Sequence, residues 1–374
     1  MINAKCTLNA FREAVRKNKC ICFGCGLQGI RMLDIIENWG LNERIAAFVD
    51  NDEKKQGNRI KRGVCEYPII SVSQMLEIID SNTIIIITNM AITEIRGQLN
   101  QYKELDEVSC YSLGEIAQQQ LIVSDYHGVI RKYDEAVIPK KIHYMWLGGE
   151  MPGILKKNVE QWHELCPDYE IIKWDEKNYN FEKNSYMKEA FQQKKWGFVP
   201  DYARLDIVYH YGGIYLDTDV ELAKKPDDLL YQDGFAISDS SLLMNFGAGF
   251  GAVASLPIIK ELRDYYDTQH FLNEDGACNM LPCRAYSYPV LEKYGYQADD
   301  SLQTIEGLNI YPMLMGGTCI YTMQKRVTEK TYFMHYGTAS WMEDRHRNSR
   351  ARLSESIGEE KLVSYQFEKS IIKK

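Results

Sequence analysis

The stretch from Pro200 to Leu222, PDYARLDIVYHYGGIYLDTDVEL, decides the predicted architecture of the chain. Its first half places apolar residues at helical spacing, and the glycine pair that follows is typical of a helix end. After the glycines the residues alternate with a period of two, which predicts a strand over 214–220. On that strand Tyr215, Asp217 and Asp219 share one face. The sequence therefore predicts a helix, a glycine turn and a strand that presents two carboxylates.

The two carboxylates point to a bound cation. Neighbouring carboxylates repel each other, so a positive charge is expected between Asp217 and Asp219. Oxygen ligands suit Mg²⁺ or Mn²⁺, above all when the metal also carries phosphates. An isolated Asp-x-Asp tripeptide is common and could be an exposed strand end. Here it follows a helix that carries Asp201 and Arg204 one turn apart, which makes the pattern far more specific.

This segment resembles the core signature of the DXD-containing sugar transferases of glycosyltransferase family 32. That family includes capsule and exopolysaccharide transferases, and its catalytic core is similar to that of the glucosylating toxins. Three further motifs match in the same order: IPKKIHYMWLGG at 138–149, W-x-x-x-CPDYEIIKWDEKN at 162–178 and TYFMHYGTASW at 331–341. The resemblance covers about the last two-thirds of the chain. It departs at Pro200, where the family usually has a serine that caps the helix.

The resemblance implies a GT-A-type domain that transfers a hexose or N-acetylhexosamine with retention of configuration. The donor would be a nucleoside diphosphate sugar, with UDP favoured and GDP open, and the acceptor a glycan or glycolipid in surface polysaccharide synthesis. Asp201, Arg204, Asp217 and Asp219 would be the catalytic residues. Asp217, Asp219 and His335 would hold Mn²⁺ or Mg²⁺. Donor binding would involve Trp146, Asn178, Asp201, Arg204, Tyr215, Asp217, Ser340 and Trp341, the last two in a closing lid.

Several of these residues also have a plainer interpretation. Trp146 sits at a predicted strand end before a glycine turn and could belong to the core instead of stacking on the donor base. Asn178 follows a strand, where Asn often serves a turn. A lone histidine such as His335 is more often structural than a ligand. Asp201 and Arg204, at positions i and i+3, could form a surface ion pair of little consequence.

The N-terminal part predicts a Rossmann-like parallel sheet. A short apolar strand precedes Gly24, Gly26 and Gly29, and a second strand ends in Asp50, at the spacing of a dinucleotide fingerprint. Glycines there allow close approach of a pyrophosphate, and Asp50 would bind ribose hydroxyls. NAD is therefore a candidate cofactor, and the same turn kept only for packing is the alternative. The segment resembles small Rossmann-like domains attached to bacterial sugar-modifying enzymes.

Two rival functions follow from these motifs. An NAD(P)-dependent oxidoreductase would use the glycine fingerprint and treat the second half as its substrate domain. A non-catalytic sensor would bind a sugar nucleotide and metal without turnover. The aspartate pair and its ordered flanking motifs favour the transferase.

Composition limits the choice further. The chain has 374 residues and a formal net charge of −8, which argues against nucleic acid as the main partner. It has no apolar run long enough to span a bilayer, and its ten cysteines are expected as free thiols. We expect a cytoplasmic α/β enzyme, peripheral at most to the inner membrane face, with its oligomeric state open. The predicted segments are a Rossmann-like domain at 1–120, a helical linker at 121–137, a GT-A domain at 138–342 and a helical tail at 343–374.

Overall fold

The computed structural model describes residues 1–62, 64–89, 91–241, 243–322 and 324–337. Within these residues the chain forms two compact units. Among the described residues, the first unit consists of 1–123 with 321–322 and 324, and the second of 124–320 with 325–337. Each unit contains a seven-stranded sheet. None of the helices in the described part of the chain is long and apolar enough to cross a membrane.

Strands and helices alternate along the first unit, except that the three strands within 45–70 follow one another directly. Its elements are β1 Ile2–Asn3, α1 Leu8–Lys17, β2 Lys19–Phe23, α2 Leu27–Asn38, β3 Ile45–Val49, β4 Arg59–Arg62, β5 Cys65–Ile70, α3 Val72–Ile78, β6 Thr83–Ile87, α4 Ile92–Leu99, β7 Ser109–Ser112 and α5 Leu113–Val123.

The sheet of the first unit has the order β1-β7-β6-β2-β3-β5-β4. Its neighbouring strands pair in parallel, except that the edge strand β4 is antiparallel to β5. Strand β6 reads TIIII and is buried along its whole length, as expected when helices cover both faces of a parallel sheet. The predicted α/β class with a parallel sheet is confirmed here.

Cysteines contribute to the apolar interior of the first unit. Cys20 and Cys22 are fully buried in β2, where they act as small apolar side chains. All ten cysteines of the chain lie among the described residues, and all are free thiols.

The second unit has more and shorter strands. From residue 124 onwards the elements are β8 Lys141–Met145, α6 Gly153–Leu165, β9 Glu170–Trp174, α7 Ser185–Gln192, α8 Val199–Tyr211, β10 Gly213–Tyr215, β11 Val220–Leu222, β12 Gly234–Ile237, β13 Phe250–Ala252, α9 Pro257–Asp264, α10 Arg284–Glu292, β14 Gln303–Ile305, β15 Leu308–Tyr311, β16 Thr318–Cys319, β17 Gln324–Lys325 and β18 Phe333–His335.

The main sheet of the second unit has the order β14-β15-β12-β13-β10-β8-β9. Strands β9, β8 and β10 are parallel neighbours, whereas β13 runs antiparallel to both β10 and β12. A separate two-stranded sheet joins β11 to β18. Strands β8 and β10 run in the same direction. The residues that follow them, from Trp146 and from Leu216, therefore leave the sheet on the same side, at the carboxyl ends of the strands. The α/β class is confirmed for this unit as well.

The segment predicted as a helical linker is mostly irregular. Only residues 121–123, the end of α5, are helical, and no helix occurs between 124 and 140. Instead, the backbone N–H groups of Lys132 and Tyr133 both donate to the carbonyl of Tyr231, at 2.8 and 3.0 Å. Those hydrogen bonds satisfy the backbone without a helix, and they hold residues 132–133 against Tyr231 of the same unit.

Candidate active site

Helix α8 carries the predicted catalytic pair into the protein interior. Of its 13 residues, ten are buried, including Asp201 and Arg204. Pro200 lies in the first turn, where the missing N–H costs no helical hydrogen bond, so the helix forms without the serine cap. Gly212 ends the helix with φ +62°, a conformation that disfavours other residues. A Cβ at Gly212 would also lie 2.9 Å from the ring of Pro139.

A buried histidine holds the glycine turn in place. Nε2 of His143 lies 2.9 Å from the carbonyl oxygen of Gly212, and the indole N–H of Trp174 donates to His143 Nδ1 at 3.2 Å. With Nδ1 accepting, Nε2 carries the proton and donates to Gly212. Burial lowers the pKa of His143 to about 4, so the ring stays neutral near pH 7. The start of β10 is therefore fixed by β8 and β9.

The two aspartates lie on a turn, and the predicted continuous strand over 214–220 is wrong. Strand β10 ends at Tyr215 and β11 begins at Val220. Between them the Val220 N–H donates to the carbonyl of Asp217 at 3.0 Å, which closes the turn. The alternating pattern of the sequence reflects two short strands that belong to different sheets. Asp217 and Asp219 are therefore brought together by turn geometry.

His335 reaches the aspartates through the small sheet. Strand β18 pairs antiparallel with β11, so that His335 lies opposite Val220. His335 Nε2 is 3.2 Å from Asp219 Oδ1. Each of Asp217, Asp219 and His335 offers one ligand atom, and these atoms all lie within 4.8 Å of one another. Residues more than 110 positions apart in the chain thus form one cluster.

The side chains of this cluster fit a divalent metal. Two carboxylates and one imidazole are ligands that Mn²⁺ accepts. Nδ1 of His335 is buried, and among the described residues it has no hydrogen-bond partner. Burial, followed by the charge of Asp219, raises the pKa of Asp217, and Arg204 opposes that rise. Burial disfavours a charge on His335, but the charge and hydrogen bond of Asp219, together with the charges of Asp217 and Asp239, outweigh burial and raise the pKa of the ring.

Arg204 connects the aspartate turn to helix α8. Its Nη2 lies 3.2 Å from Asp201 Oδ1 and 3.3 Å from Asp217 Oδ1, and only 4% of its side chain is exposed. Burial disfavours the charge, but Asp217 and Asp201 outweigh it and raise the pKa of Arg204, which remains a cation. Burial raises the pKa of Asp201 to about 7, although Arg204 opposes that effect. The pair is therefore an interior ion pair, not a surface one.

The other predicted donor residues have different surroundings. Trp146 is half-buried against the core, and its indole N–H donates to the carbonyl of Gly149 at 2.9 Å. Asn178 is exposed and bonds within a turn, to the Asp175 N–H and the Lys173 carbonyl. Tyr215 is fully buried, and its ring lies 5.5 Å from the guanidinium carbon of Arg204. Ser340 and Trp341, and the tail from 343, lie outside the described residues.

Sequence reasoning missed the role of residues 245–247, whose hydrogen bonds hold the backbone of Asp217 in place. The Asp217 N–H donates to the carbonyl of Gly247 at 3.1 Å, and the Gly247 N–H donates to Asn245 Oδ1 at 2.9 Å. Asn245 Nδ2 in turn donates to the buried Asp239, which also accepts from Arg284. The glycine-rich run NFGAGFG was a usable signal, because glycines often mark a close approach of another chain segment.

Helix α6 also holds the aspartate turn, a role that sequence reasoning missed because no local pattern indicates it. Asn158 Nδ2 donates to the carbonyl of Thr218 at 2.9 Å, and the Trp162 indole donates to that of Val220 at 3.0 Å. Gln161 both accepts from and donates to the backbone of Leu222. These side chains lie at helical spacing on one face, so α6 runs along the turn and β11.

In the first unit Gly24 and Gly26 lie between β2 and α2, as predicted, whereas Gly29 already lies in the first turn of α2. Gly24 has φ +112°, and a Cβ on Gly29 would lie 2.3 Å from the carbonyl oxygen of Gly24. Gly26 begins α2, and a Cβ there would meet nothing within 4 Å. Asp50 Oδ2 accepts from the N–H and the thiol of Cys25, at 3.2 and 2.9 Å. Two glycines are thus needed for packing, and Asp50 is already bonded to the turn.

Comparison with known proteins bears on the second unit. Residues 152–236, which include the aspartate turn, match the family described as "Glycosyltransferase sugar-binding region containing DXD motif". This match supports a glycosyltransferase. The matched segment is less than a quarter of the chain.

Relatives of this chain include other transferases. Inositol phosphoceramide mannosyltransferase 2 of Schizosaccharomyces pombe is 36% identical over 110 residues, which are 26% of this chain and 29% of that protein. The chain thus spans less than a third of that relative. The uncharacterised glycosyltransferase L373 of Acanthamoeba polyphaga mimivirus is 29% identical over 220 residues, 55% of this chain and 84% of the relative. The solved structure of the PaToxG glycosyltransferase aligns with 48% of this chain and 76% of its own, at 16% identity and a TM-score of 0.37.

Proposed function

We propose that the chain is a metal-dependent glycosyltransferase that moves a hexose or N-acetylhexosamine from a nucleoside diphosphate sugar to a hydroxyl acceptor. The convergence of Asp217, Asp219 and His335, with ligand atoms within 4.8 Å, is the observation that carries this proposal. The family match of residues 152–236 supports it independently of the geometry. UDP is the favoured donor nucleotide. The acceptor is a glycan or a lipid-linked hydroxyl in surface polysaccharide synthesis. The Schizosaccharomyces pombe relative is named for the lipid inositol phosphoceramide, which supports a lipid-linked acceptor.

The main chemical task is to stabilise negative charge on the departing nucleoside diphosphate. Asp217, Asp219 and His335 would hold Mn²⁺ or Mg²⁺, which supplies Lewis-acid stabilisation of the diphosphate. Arg204 adds a fixed positive charge beside the aspartate turn. Because Asp201 and Asp217 already hold its guanidinium, little reorientation is needed when the donor arrives.

The remaining predicted residues would bind and orient the donor. We propose that Asp201 and Arg204 contact hydroxyls of the sugar. The ring of Tyr215, 5.5 Å from the guanidinium carbon, would help to hold Arg204 in position. Trp146 would stack on the base, a contact worth about 1–3 kcal/mol in proteins where it has been tested. Asn178 would contact the nucleotide from its loop. Ser340 and Trp341 would close over the phosphates and exclude water.

The transfer itself is proposed to retain the anomeric configuration. The bond from the anomeric carbon to the diphosphate oxygen breaks, and the acceptor oxygen bonds to the same face of that carbon. The proton of the acceptor hydroxyl passes to the leaving phosphate. The role of the protein is then to hold the acceptor hydroxyl on the same face of the anomeric carbon as the leaving diphosphate and to stabilise the charge that develops.

The test is release of UDP or GDP from a panel of nucleotide sugars, with Mn²⁺ and with EDTA. We expect slow hydrolysis of one donor in Mn²⁺, lost in EDTA and lost in an Asp217→Asn/Asp219→Asn variant. The matched control is Asp134→Asn/Glu135→Gln, which neutralises two exposed carboxylates of the same unit.

Each outcome has a distinct meaning. Hydrolysis that survives both EDTA and the aspartate variant would refute the metal site. Tight binding of one donor without any hydrolysis, with or without candidate acceptors, would favour the sugar-nucleotide sensor. If no sugar nucleotide is either bound or hydrolysed, the transferase proposal is refuted.

A further inference from the structure

The first unit contains a cavity that the transferase proposal does not use. It has a volume of about 190 Å³ and opens where β2, β3 and β6 end. Its lining includes Phe23, Gly24, Asp50, Asn51, Glu94, Ile95 and Gln98. Apolar side chains from the strand end and from α4 therefore face carboxylates and carboxamides across one small space.

The cavity lies where the chain changes direction in the sheet. Strand β2 has β3 on one side and β6 on the other. From β2 the chain builds the sheet outward through β3 and β5, and then returns to the opposite side to form β6 and β7. In open α/β sheets, ligands bind at such a reversal, outside the carboxyl ends of the strands.

The glycine turn leaves space beside the cavity. As described above, Gly24 and Gly29 are needed for close packing, whereas Gly26 faces open space. Gly26 has φ −79°, which any residue adopts, so neither backbone strain nor a packing contact requires a glycine there. The absence of a side chain at Gly26 leaves the backbone at the start of α2 open to close approach by a ligand.

Asp50 presents an ionised carboxylate to the cavity. Its Oδ2 accepts from Cys25 and from Lys55 Nζ, at 3.1 Å for the lysine, whereas Oδ1 accepts from the Asp52 N–H at 3.0 Å. A carboxylate oxygen accepts more than one hydrogen bond, so Oδ1 can take another donor. Two other lining residues, Asn51 and Gln98, are joined by two hydrogen bonds of 2.8 and 3.1 Å between their carboxamides.

We propose that this cavity binds the nucleoside part of a nucleotide, with ribose hydroxyls donating to Asp50 and the base lying between Phe23 and helix α4. The cavity is too small to enclose a whole dinucleotide, because pockets for complete small-molecule ligands usually measure about 300–1,000 Å³. Carboxylates in the lining, Asp50 and Glu94, would repel a phosphate from the interior. The phosphate would instead pass over Gly26 towards the start of α2 and Lys55. The proposal does not depend on the transferase reaction.

The experiment uses the full chain with the other candidate site disabled. In the Asp217→Asn/Asp219→Asn variant with EDTA present, adenosine, guanosine, uridine, their diphosphates, UDP-glucose and NAD are titrated by calorimetry. We expect one nucleoside and its diphosphate to bind. Hydrogen exchange should then slow in peptides covering 23–29, 50–55 and 91–98. The nucleoside series identifies the base, and comparison of the diphosphate with UDP-glucose and NAD identifies the physiological source.

Three substitutions in that background test the assigned contacts. Asp50→Asn should raise the Kd of the nucleoside at least tenfold, whereas Glu53→Gln, an exposed carboxylate nearby, should leave it unchanged. Gly26→Ala should weaken the diphosphate and not the nucleoside. Gln98→Ala gives a second test if Asp50→Asn fails to fold, with a Kd at least threefold higher expected. The proposal is overturned if no nucleoside binds at millimolar concentration, or if Asp50→Asn, Gly26→Ala and Gln98→Ala all bind as the parent does.

Discussion

Gly247→Ala tests the geometry of the aspartate turn without removing any polar side chain. A Cβ built on Gly247 would lie 2.2 Å from Asp217 Oδ2 and 3.0 Å from an Nη of Arg204. The backbone of Gly247 is outside the left-handed region, so alanine is not strained there. The conflict is with the ends of two side chains. We therefore expect the fold to survive while the carboxylate of Asp217 moves.

The size of the effect follows from the displacement. Ordinary contact for a Cβ begins near 3.4 Å, so the carboxylate oxygen has to move by about 3.4 − 2.2 = 1.2 Å. A misplacement of about 1 Å costs on the order of 100-fold in rate when it affects reacting groups. That corresponds to about 2.7 kcal/mol in transition-state stabilisation. We therefore expect kcat/KM for metal-dependent donor hydrolysis to fall about 100-fold.

The assay compares Gly247→Ala with Gly153→Ala, because a Cβ at Gly153 would meet nothing within 4 Å. Donor hydrolysis, Mn²⁺ affinity and Tm are measured for both. The expected result is a loss of activity and weaker Mn²⁺ binding in Gly247→Ala only, with its Tm within a few degrees of the parent. Hydrolysis within threefold of the parent would show that Asp217 does not need its present position, and the reasoning would be refuted.

Three more predictions concern single side chains. Trp146→Ala should raise the KM for the donor about tenfold or more with little change in kcat. An unchanged KM would show that Trp146 only packs against the core and does not bind the donor. His335→Ala should weaken Mn²⁺ binding measured by calorimetry, and equal affinity in the variant would remove His335 from the ligand set. His143 has a folded pKa of about 4, below its unfolded value, so its stabilising contribution is lost as pH falls from about 6.5 towards 4. Urea unfolding should therefore show the parent losing about 2 kcal/mol more than His143→Gln between pH 7.5 and pH 5, and parallel pH profiles would contradict this.

Much of the local structure could be predicted from the sequence. The buried strand β6, helix α8 with Pro200 in its first turn, and the glycine turn after β2 follow from apolar periodicity and backbone chemistry. These features depend on neighbouring residues, whose spacing a sequence displays directly. Where a pattern had two structural solutions, prediction failed. The alternation over 214–220 suits one long strand or two short strands with a turn between them, and only pairing with β18 selects the second.

The surroundings of Asp217 and Asp219 could be predicted from the sequence only in part. The sequence by itself determined the residue types: two carboxylates beside a glycine turn, a helix with an aspartate and an arginine, and a histidine in a short strand. The tertiary structure decided that Gly247, Asn158 and Trp162 hold the turn, since those contacts join segments that are remote in the chain. It also decided that Arg204 is buried between two aspartates. Such contacts depend on how sheets and helices pack, and side-chain packing over long sequence separations leaves no periodic signal in the chain.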